Sequence, residues 1–405
     1  MNNTEPSVII IGGGHAGVES AMLLRQKGWT GDITLVSEEM VLPYQRPPLS
    51  KGYFHNKISI EQLPIKKQAL YEKLNVNLLL GKAVVSINRK QQTISLTDGK
   101  SLAYNHLIIA TGARVRKLNI PGADLPCVSY LKTLDDANKL KELIKENNKV
   151  LIVGAGYIGL EIAASGIKAG AEVTVLEALD RVLARVTCPE MSGYFQQLHQ
   201  DKGVTIKLNL GINAIVSNNG VYNVIYSDGS EQNFDSVVIG IGVIPNIELA
   251  ESAGLACDNG ISVNEFTQTS DPLIYAIGDV SNQLNHHYGK RMRLESVPNA
   301  IEQAKTAVSS ICGTPVANVA FPWFWSDQYE SKLQTAGIFQ GYDEVVIRGS
   351  MQDHTFSAFY LSNKKLIAVD SINSPRDFMK AKKLIPEGFV ANTDKITDTS
   401  QPWFE

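Results

Sequence analysis

Ser7-Val8-Ile9-Ile10-Ile11-Gly12-Gly13-Gly14-His15-Ala16-Gly17 is the stretch whose reading decides the fold. An apolar, largely β-branched run breaks into glycines, and a helical pattern follows from Ala16 to about Lys27: strand, tight turn, helix. Gly12 permits the sharp turn and Gly14 lets backbone approach a pyrophosphate. Gly17 lets the helix pack close to the strand, with the helix N-terminus facing the phosphates. A second strand at 32–36 ends at Ser37-Glu38, and that acid stands about 20 residues past the glycines, where a ribose-binding carboxylate belongs. The glycines alone would also suit a turn in some other α/β sheet. Strand, helix and acid together point to dinucleotide binding.

The same design recurs about 140 residues later. A strand at 150–153 runs into Gly154-Ala155-Gly156-Tyr157-Ile158-Gly159, then a helix to about Ala169, then a strand at 173–176 ending on Glu177. The sequel recurs too. Val84–Asn88 and Thr93–Leu96 with Asp98-Gly99 follow the first unit, and 214–217 and Val221–Tyr226 with Asp228-Gly229 follow the second. Asp-Gly beside alternating runs is a hairpin signal. Each unit closes with an apolar strand and a glycine turn, 107–110 into Thr111-Gly112 and 237–241 into Gly242. A polar helix at 134–147 reads as part of the crossover between the units, and Ile261–Val263 and 274–277 read as short strands. Gly278-Asp279 is assigned back to the first domain. From Pro322 the alternating segments 332–337, 344–348, 356–361 and 365–369 suggest an antiparallel sheet, followed by a helix at 377–383 and a polar, loosely held tail after Asn392. The expected class is α/β: two Rossmann-like dinucleotide-binding domains, the first discontinuous, and a C-terminal α+β domain with an antiparallel sheet.

The totals agree. A chain of 405 residues is too long for one ordinary core. A formal net charge of -3 gives no sign of a nucleic-acid or membrane-surface protein. The polar start Met1-Asn2-Asn3-Thr4-Glu5-Pro6 does not read as a secretory signal, and the apolar runs are strand length. Cys127, Cys188, Cys257 and Cys312 lack paired spacing, so reduced thiols in a cytoplasmic protein are expected, with no metal site.

With two dinucleotide folds in this order, the chain resembles the FAD-dependent pyridine-nucleotide oxidoreductases, and within them the ferredoxin-reductase group of the putidaredoxin-reductase type. Besides the glycine turns, the resemblance rests on Arg46-Pro47-Pro48-Leu49-Ser50-Lys51, Ala110-Thr111-Gly112 and Tyr275-Ala276-Ile277-Gly278-Asp279. Its most specific pieces are Glu295-Ser296-Val297-Pro298-Asn299-Ala300 and Pro322-Trp323-Phe324-Trp325-Ser326-Asp327-Gln328-Tyr329. It implies an FAD-binding domain at 1–117 and 245–321, an NADH-binding domain at 118–244 and a C-terminal domain at 322–405.

The resemblance also assigns residues. The FAD contacts it implies are Gly12, Gly14, Ala16, Gly17, Glu38, Arg46, Lys51, Val84, Ala110, Thr111, Gly112, Asp279, Val297 and Trp325. The NADH contacts are Gly154, Gly156, Ile158, Gly159, Glu161, Glu177, Arg185 and Gly242. Lys51 lies close to flavin N5 in this reading, and its ammonium would stabilise charge on reduced flavin. As a bare residue it could equally be a surface lysine after a turn. Glu161, in the first turn of its helix, meets the nicotinamide and pairs with Lys51 across the flavin, or simply favours a helix N-terminus. Glu177 accepts from the adenine ribose and repels the extra phosphate of NADPH, with Arg181 and Arg185 nearby leaving some ambiguity. Asp279 is expected as a buried acid bonding the ribityl chain. Trp325 sits against the flavin or serves core packing. Lys132 departs from the arginine usual at its place, which leaves that contact open.

The chain lacks the redox-active cysteine pair that disulfide reductases of the superfamily carry near Lys51. Hydride is therefore expected to pass from NADH to flavin, and electrons singly onward to a [2Fe–2S] ferredoxin or a rubredoxin that feeds an oxygenase, with Lys51, Glu161 and Trp325 at the catalytic centre. Two alternatives stand beside this reading: a flavoprotein with another acceptor, and an apoptosis-inducing-factor-like interaction protein. A monomer or weak dimer is expected, with docking on a local basic patch at Arg291, Arg293 and Lys305.

Overall fold

The computed structural model describes residues 6–218 and 221–404; most of the N-terminal stretch read for a targeting segment, 1–5, lies outside the described residues. The chain packs into two compact units. One comprises Met1–Gln45, Ile60–Arg114 and Ile244–Pro322, and the other Arg46–Ser59, Val115–Val243 and Trp323–Glu405.

In the first unit the stretch Ser7–Ile11 is the middle strand of a parallel sheet. The order is Ile274–Ala276, His106–Ile109, Ser7–Ile11, Asp32–Ser37, Val76–Leu80. The strands read as unbroken apolar runs because helices cover a parallel sheet. Helix His15–Gln26 turns Val18, Ala21 and Leu24 inward, and they share a core with Ile10 and Ile33 of the sheet. Helix Val297–Ile311 adds Ala300, Ala304 and Ala307 to the same core, small residues that let it come close to His15–Gln26. The hairpin signal at Asp98-Gly99 appears as the antiparallel sheet Val84–Asn88, Thr93–Leu96, Ser101–Ala103. Beyond expectation, Ser281–Asn285 pairs with both Ile261–Val263 and Lys290–Met292.

The second unit repeats the plan. Its parallel sheet runs Thr205–Lys207, Glu172–Leu176, Lys149–Val153, Ser236–Ile239, Val128–Ser129, and its antiparallel sheet runs Ile212–Asn218, Val221–Tyr226, Glu231–Phe234. A capping box of Thr133 and Asp136 starts helix Leu134–Leu143, which stops short of the expected 147, where Asn147 takes a left-handed φ of 63°. The C-terminal part is a five-stranded antiparallel sheet, Trp323–Gln328, Ser331–Gly337, Lys365–Ile372, Thr355–Ser362, Glu344–Ser350. Phe356, Ala358, Tyr360, Ala368 and Ile372 from it join Leu160, Ile162 and Phe195 in one core.

The tail corrects the expectation of a loose end. Asn392 caps helix Thr393–Thr397, which buries Ile396. Trp403 is 1 % exposed, donates its indole N–H to Asp377 at 2.9 Å and packs its ring on Phe359. One large aromatic outweighs the polar composition around it.

Candidate functional site

In the first unit, Gly12 has φ 119°, and a Cβ there would lie well within 3.0 Å of the Ala110 carbonyl oxygen. A Cβ on Gly17 would collide likewise with the carbonyl oxygen of Gly12. Only glycine fits either place. Gly14, which caps helix His15–Gln26, faces open space: nothing lies within 4 Å of a Cβ built on it. Among the described residues no side chain caps that helix and no acid stands in its first turn. A helix end with no side-chain cap and no first-turn acid, its N-cap glycine facing open space, fits a pyrophosphate.

Of the other first-unit positions, Ala110 and Thr111 lie against Gly12. Ala16 is buried near Gly278. Val84 and Ala110 are buried, and Gly112, φ 64°, again opens onto free space. Thr111 is locked by two bonds to Asn246, its hydroxyl donating to the Asn246 carbonyl at 2.9 Å and its carbonyl accepting from the Asn246 amide at 2.9 Å. Glu38 is exposed just past strand Asp32–Ser37, while its neighbour Glu39 accepts from the Tyr44 hydroxyl. Asp279 is half-buried rather than buried, in the short turn Gly278–Val280. Gln303 holds that turn, its carbonyl oxygen accepting from the Gly278 N–H and the Ser281 hydroxyl at 2.8 Å each. Val297 is half-buried at the start of helix Val297–Ile311, which Ser296 caps.

The second unit sets the same steric demands at its turn. Gly154 has φ 103°, and its Cβ would meet the Gly240 carbonyl oxygen at 2.5 Å; a Cβ on Gly159 would collide with the Gly154 carbonyl oxygen. Gly156 and Gly242 face open space, and the apolar Ile158 is 48 % exposed on the uncapped helix end. Glu177 accepts from Ala155 N–H at 2.8 Å and Leu179 N–H at 3.0 Å. These two donors leave about half of the carboxylate's acceptor capacity unused. Arg181 is tied to the Thr187 and Ala184 carbonyls and the Ser192 hydroxyl, whereas Arg185 is exposed.

Arg46–Ser59 belongs to this second unit. Lys51 Nζ lies 2.6 Å from Glu161 Oε2, with side chains 24 % and 8 % exposed. The expected pair of Lys51 with Glu161 is present, and one expectation is corrected: Glu161 stands in the second turn of helix Tyr157–Lys168, not the first. The Ser50 hydroxyl donates to the same carboxylate oxygen at 2.8 Å and the Ser326 hydroxyl to the other at 2.6 Å. Ser165 holds the loop by donating to the Ser50 carbonyl. Arg46 donates to the carbonyl of Lys132 at 2.5 Å, so the backbone at 132 has a role whatever its side chain. On strand Trp323–Gln328 the faces alternate. Phe324 packs on Tyr157 and Ser326 reaches Glu161, while Trp325 lies on the opposite face beside Trp323, ring centroids 5.9 Å apart.

The expected basic patch does not form as three free cations. Arg293 is nearly buried, paired with Glu295 and donating to the Asp279 carbonyl. Arg291 donates to the carbonyls of Val263 and Asn282. A guanidinium's several donors suit it to tying loops together. Arg291 and Lys305 both stay exposed, Lys305 paired with Glu302 at 2.7 Å. All four cysteines are free thiols, and burial pushes those of Cys127 and Cys188 up to about 11.

Sequence reasoning missed Ser50 and Ser326 on the carboxylate, Gln303 behind Asp279, and the buried Asp370, which accepts from Thr187, Thr335 and Tyr360. Burial pushes the Asp370 carboxyl up from its ordinary value. Only Ser50 and Ser326 carried a signal, since both fall inside quoted motifs.

The family model described as pyridine nucleotide-disulphide oxidoreductase matches residues 6–304, and one described as reductase C-terminal matches 323–403. The chain is 41% identical to putidaredoxin reductase of Pseudomonas putida, over 99% of this chain and 96% of that protein. It is 43% identical to rhodocoxin reductase of Rhodococcus erythropolis, over 97% of this chain and 92% of that one. Among solved structures it is similar to the reductase in a covalent putidaredoxin reductase–putidaredoxin complex, with TM-score 0.95, 40% identity, and coverage of 99% of this chain and 98% of that one.

Proposed function

This chain belongs to the pyridine nucleotide-disulphide oxidoreductase family, and on that premise we propose that it is an NADH-dependent reductase. It passes electrons through FAD to a small iron–sulfur protein, a [2Fe–2S] ferredoxin or a rubredoxin, that feeds an oxygenase. FAD belongs to the segments 1–117 and 245–321, NADH to 118–244, and the C-terminal domain at 322–405 carries no nucleotide. The observation that carries the reading is the pair of glycine turns with the same steric demands, each opening a bare helix end onto free space. Four thiols without redox-pair spacing favour direct transfer over a dithiol relay.

Bound FAD supplies two-electron acceptance from NADH and the one-electron release an iron–sulfur protein requires. The chain's own residues bind and orient. Backbone N–H groups at Gly14 and Gly156 receive pyrophosphates, and Glu38 and Glu177 receive ribose hydroxyls. Asp279, held by its Gln303-bonded turn, accepts from the ribityl chain. Lys51 and Glu161 set charge and orientation for hydride transfer. Glu177 makes NADH the preferred donor, and the site of action is the cytoplasm.

Steady-state NADH oxidation should be slow with dioxygen alone and rise strongly when a [2Fe–2S] ferredoxin and cytochrome c are added. Equal rates with and without the ferredoxin would assign a different acceptor.

A further inference from the structure

Behind the Lys51–Glu161 pair runs a chain of buried hydrogen bonds. Ser326 Oγ stands 2.6 Å from Glu161 Oε1, and Gln328 Nε2 stands 3.3 Å from Ser326 Oγ. His199 Nε2 stands 2.8 Å from Gln328 Oε1, and the Tyr329 hydroxyl 3.3 Å from His199 Nδ1. Ser326 and Gln328 are 1 % exposed and His199 0 %. Tyr329 is half-buried under Lys202, whose ammonium lies 5.5 Å from its ring and pairs with Glu330 at the surface. Strand alternation puts Ser326 and Gln328 on one face, and helix Pro189–Asp201 delivers His199.

Chemistry fixes the direction of every bond. The Glu161 carboxylate, facing an ammonium and a second hydroxyl, only accepts, so Ser326 donates to it. That hydroxyl's single proton is then engaged, and Ser326 accepts from the Gln328 amide N–H. Gln328 turns its carbonyl to His199 and must receive a proton there. Burial pushes the His199 imidazole down to about 4, so at neutral pH it carries one proton. The chain closes with that proton on Nε2 and with Nδ1 accepting from the Tyr329 hydroxyl. Tyr329, His199, Gln328 and Ser326 therefore donate in the same sense, toward Glu161. A primary amide in the middle hands on no proton, so the chain is no relay.

We infer that Ser326, Gln328 and His199 are positioning residues for Glu161: they fix the rotamer of its carboxylate with a row of aligned dipoles, keeping Oε2 on Lys51 and Ser50. This rests on the reading that Lys51 and Glu161 serve hydride transfer. A buried row with one polarity, ending on an ion pair, is more than packing requires. The same strand could have filled the space with apolar side chains at less desolvation cost.

The test uses the full-length holoenzyme. Ser326→Ala should slow flavin reduction by NADH in anaerobic stopped flow about tenfold, with the Kd for NADH unchanged. Ser326→Thr, which keeps the hydroxyl, should stay within about twofold. Nitrogen-15 NMR of labelled histidines reads the chain without turnover: His199 should be neutral with its proton on Nε2, and Gln328→Leu should shift that resonance while slowing reduction. A cationic His199, a proton on Nδ1, or equal slowing by Ser326→Ala and Ser326→Thr would overturn the inference. Glu161→Gln separates the two levels. If it slows reduction and Ser326→Ala does not, the positioning role alone is wrong; if neither does, the reading of the Lys51–Glu161 pair is wrong.

Discussion

His199 should make this fold acid-sensitive by an amount that the structure sets. The imidazole is fully buried, and burial lowers it from 6.5 to about 4. In the unfolded chain it takes up a proton below about 6.5; in the fold it resists until about 4. A group depressed on folding contributes stability that is complete above its unfolded pKa and is lost as pH falls toward its folded one. The window is therefore about pH 6.5 to 4, and the loss across it is about 3 kcal/mol. Asp370, raised by burial, works in the opposite sense: it contributes at low pH stability that is lost as pH rises. Comparing the protein with its His199→Gln variant cancels Asp370 and every other titrating group. Both should carry Trp29→Phe, so that fluorescence reports on Trp323, Trp325 and Trp403, which share a unit with His199. Denaturant unfolding at pH 7 and pH 4 should then show the protein with His199 losing about 3 kcal/mol more than the one with His199→Gln. A stability difference that is the same at both pH values would refute the neutral, buried histidine.

Gly17→Ala should lose FAD retention and about 1–3 kcal/mol of stability, because its Cβ meets a backbone oxygen. Gly14→Ala should weaken FAD binding while the apoprotein's Tm holds, because its Cβ enters free space; matched losses in Tm would deny the cradle. Glu177→Ala should lower the kcat/KM ratio of NADH over NADPH about tenfold or more, one charged hydrogen bond being worth roughly 1.5–3 kcal/mol. An unchanged ratio would place selectivity elsewhere. Lys305→Glu, which sets a second acid beside Glu302, should slow reduction of an acidic ferredoxin and flatten its salt dependence while ferricyanide reduction stays intact. Equal losses with both acceptors would point to a damaged flavin site.

What the sequence made legible is what backbone geometry dictates. Gly12 and Gly154 sit at positive φ, and Gly17 and Gly159 where a Cβ has no room. Those constraints write themselves into residue type and spacing, so both turns, their strands and their acids could be found without coordinates. Contacts made by uncharged side chains far apart in the chain leave no such trace, and His199, Gln328 and Ser326 were invisible as a set for that reason. Arg293 misled for a related cause. An arginine beside a motif reads as surface charge, and only the Asp279 carbonyl and Glu295 around it explain its burial. The tail misled because composition was averaged over a stretch in which Trp403 alone decides the outcome.

The first parallel sheet pairs Leu107 with Ile274 and so cannot close early in synthesis. Its edge, His106–Ile109, must wait with unsatisfied backbone groups while the whole of 115–243 is made. At ordinary elongation speeds that wait is on the order of ten seconds. An unpaired, apolar strand is a template for wrong partners throughout it. The intervening residues shorten the search if they collapse first, since a compact insert brings its two ends nearer than a random coil of that length. The order of strands thereby favours one order of closure: the parallel sheet Thr205–Lys207, Glu172–Leu176, Lys149–Val153, Ser236–Ile239, Val128–Ser129, which lies wholly within the insert, can pair before the outer sheet receives Ile274–Ala276. A nascent chain stalled before Ile274 should be the species that chaperones hold.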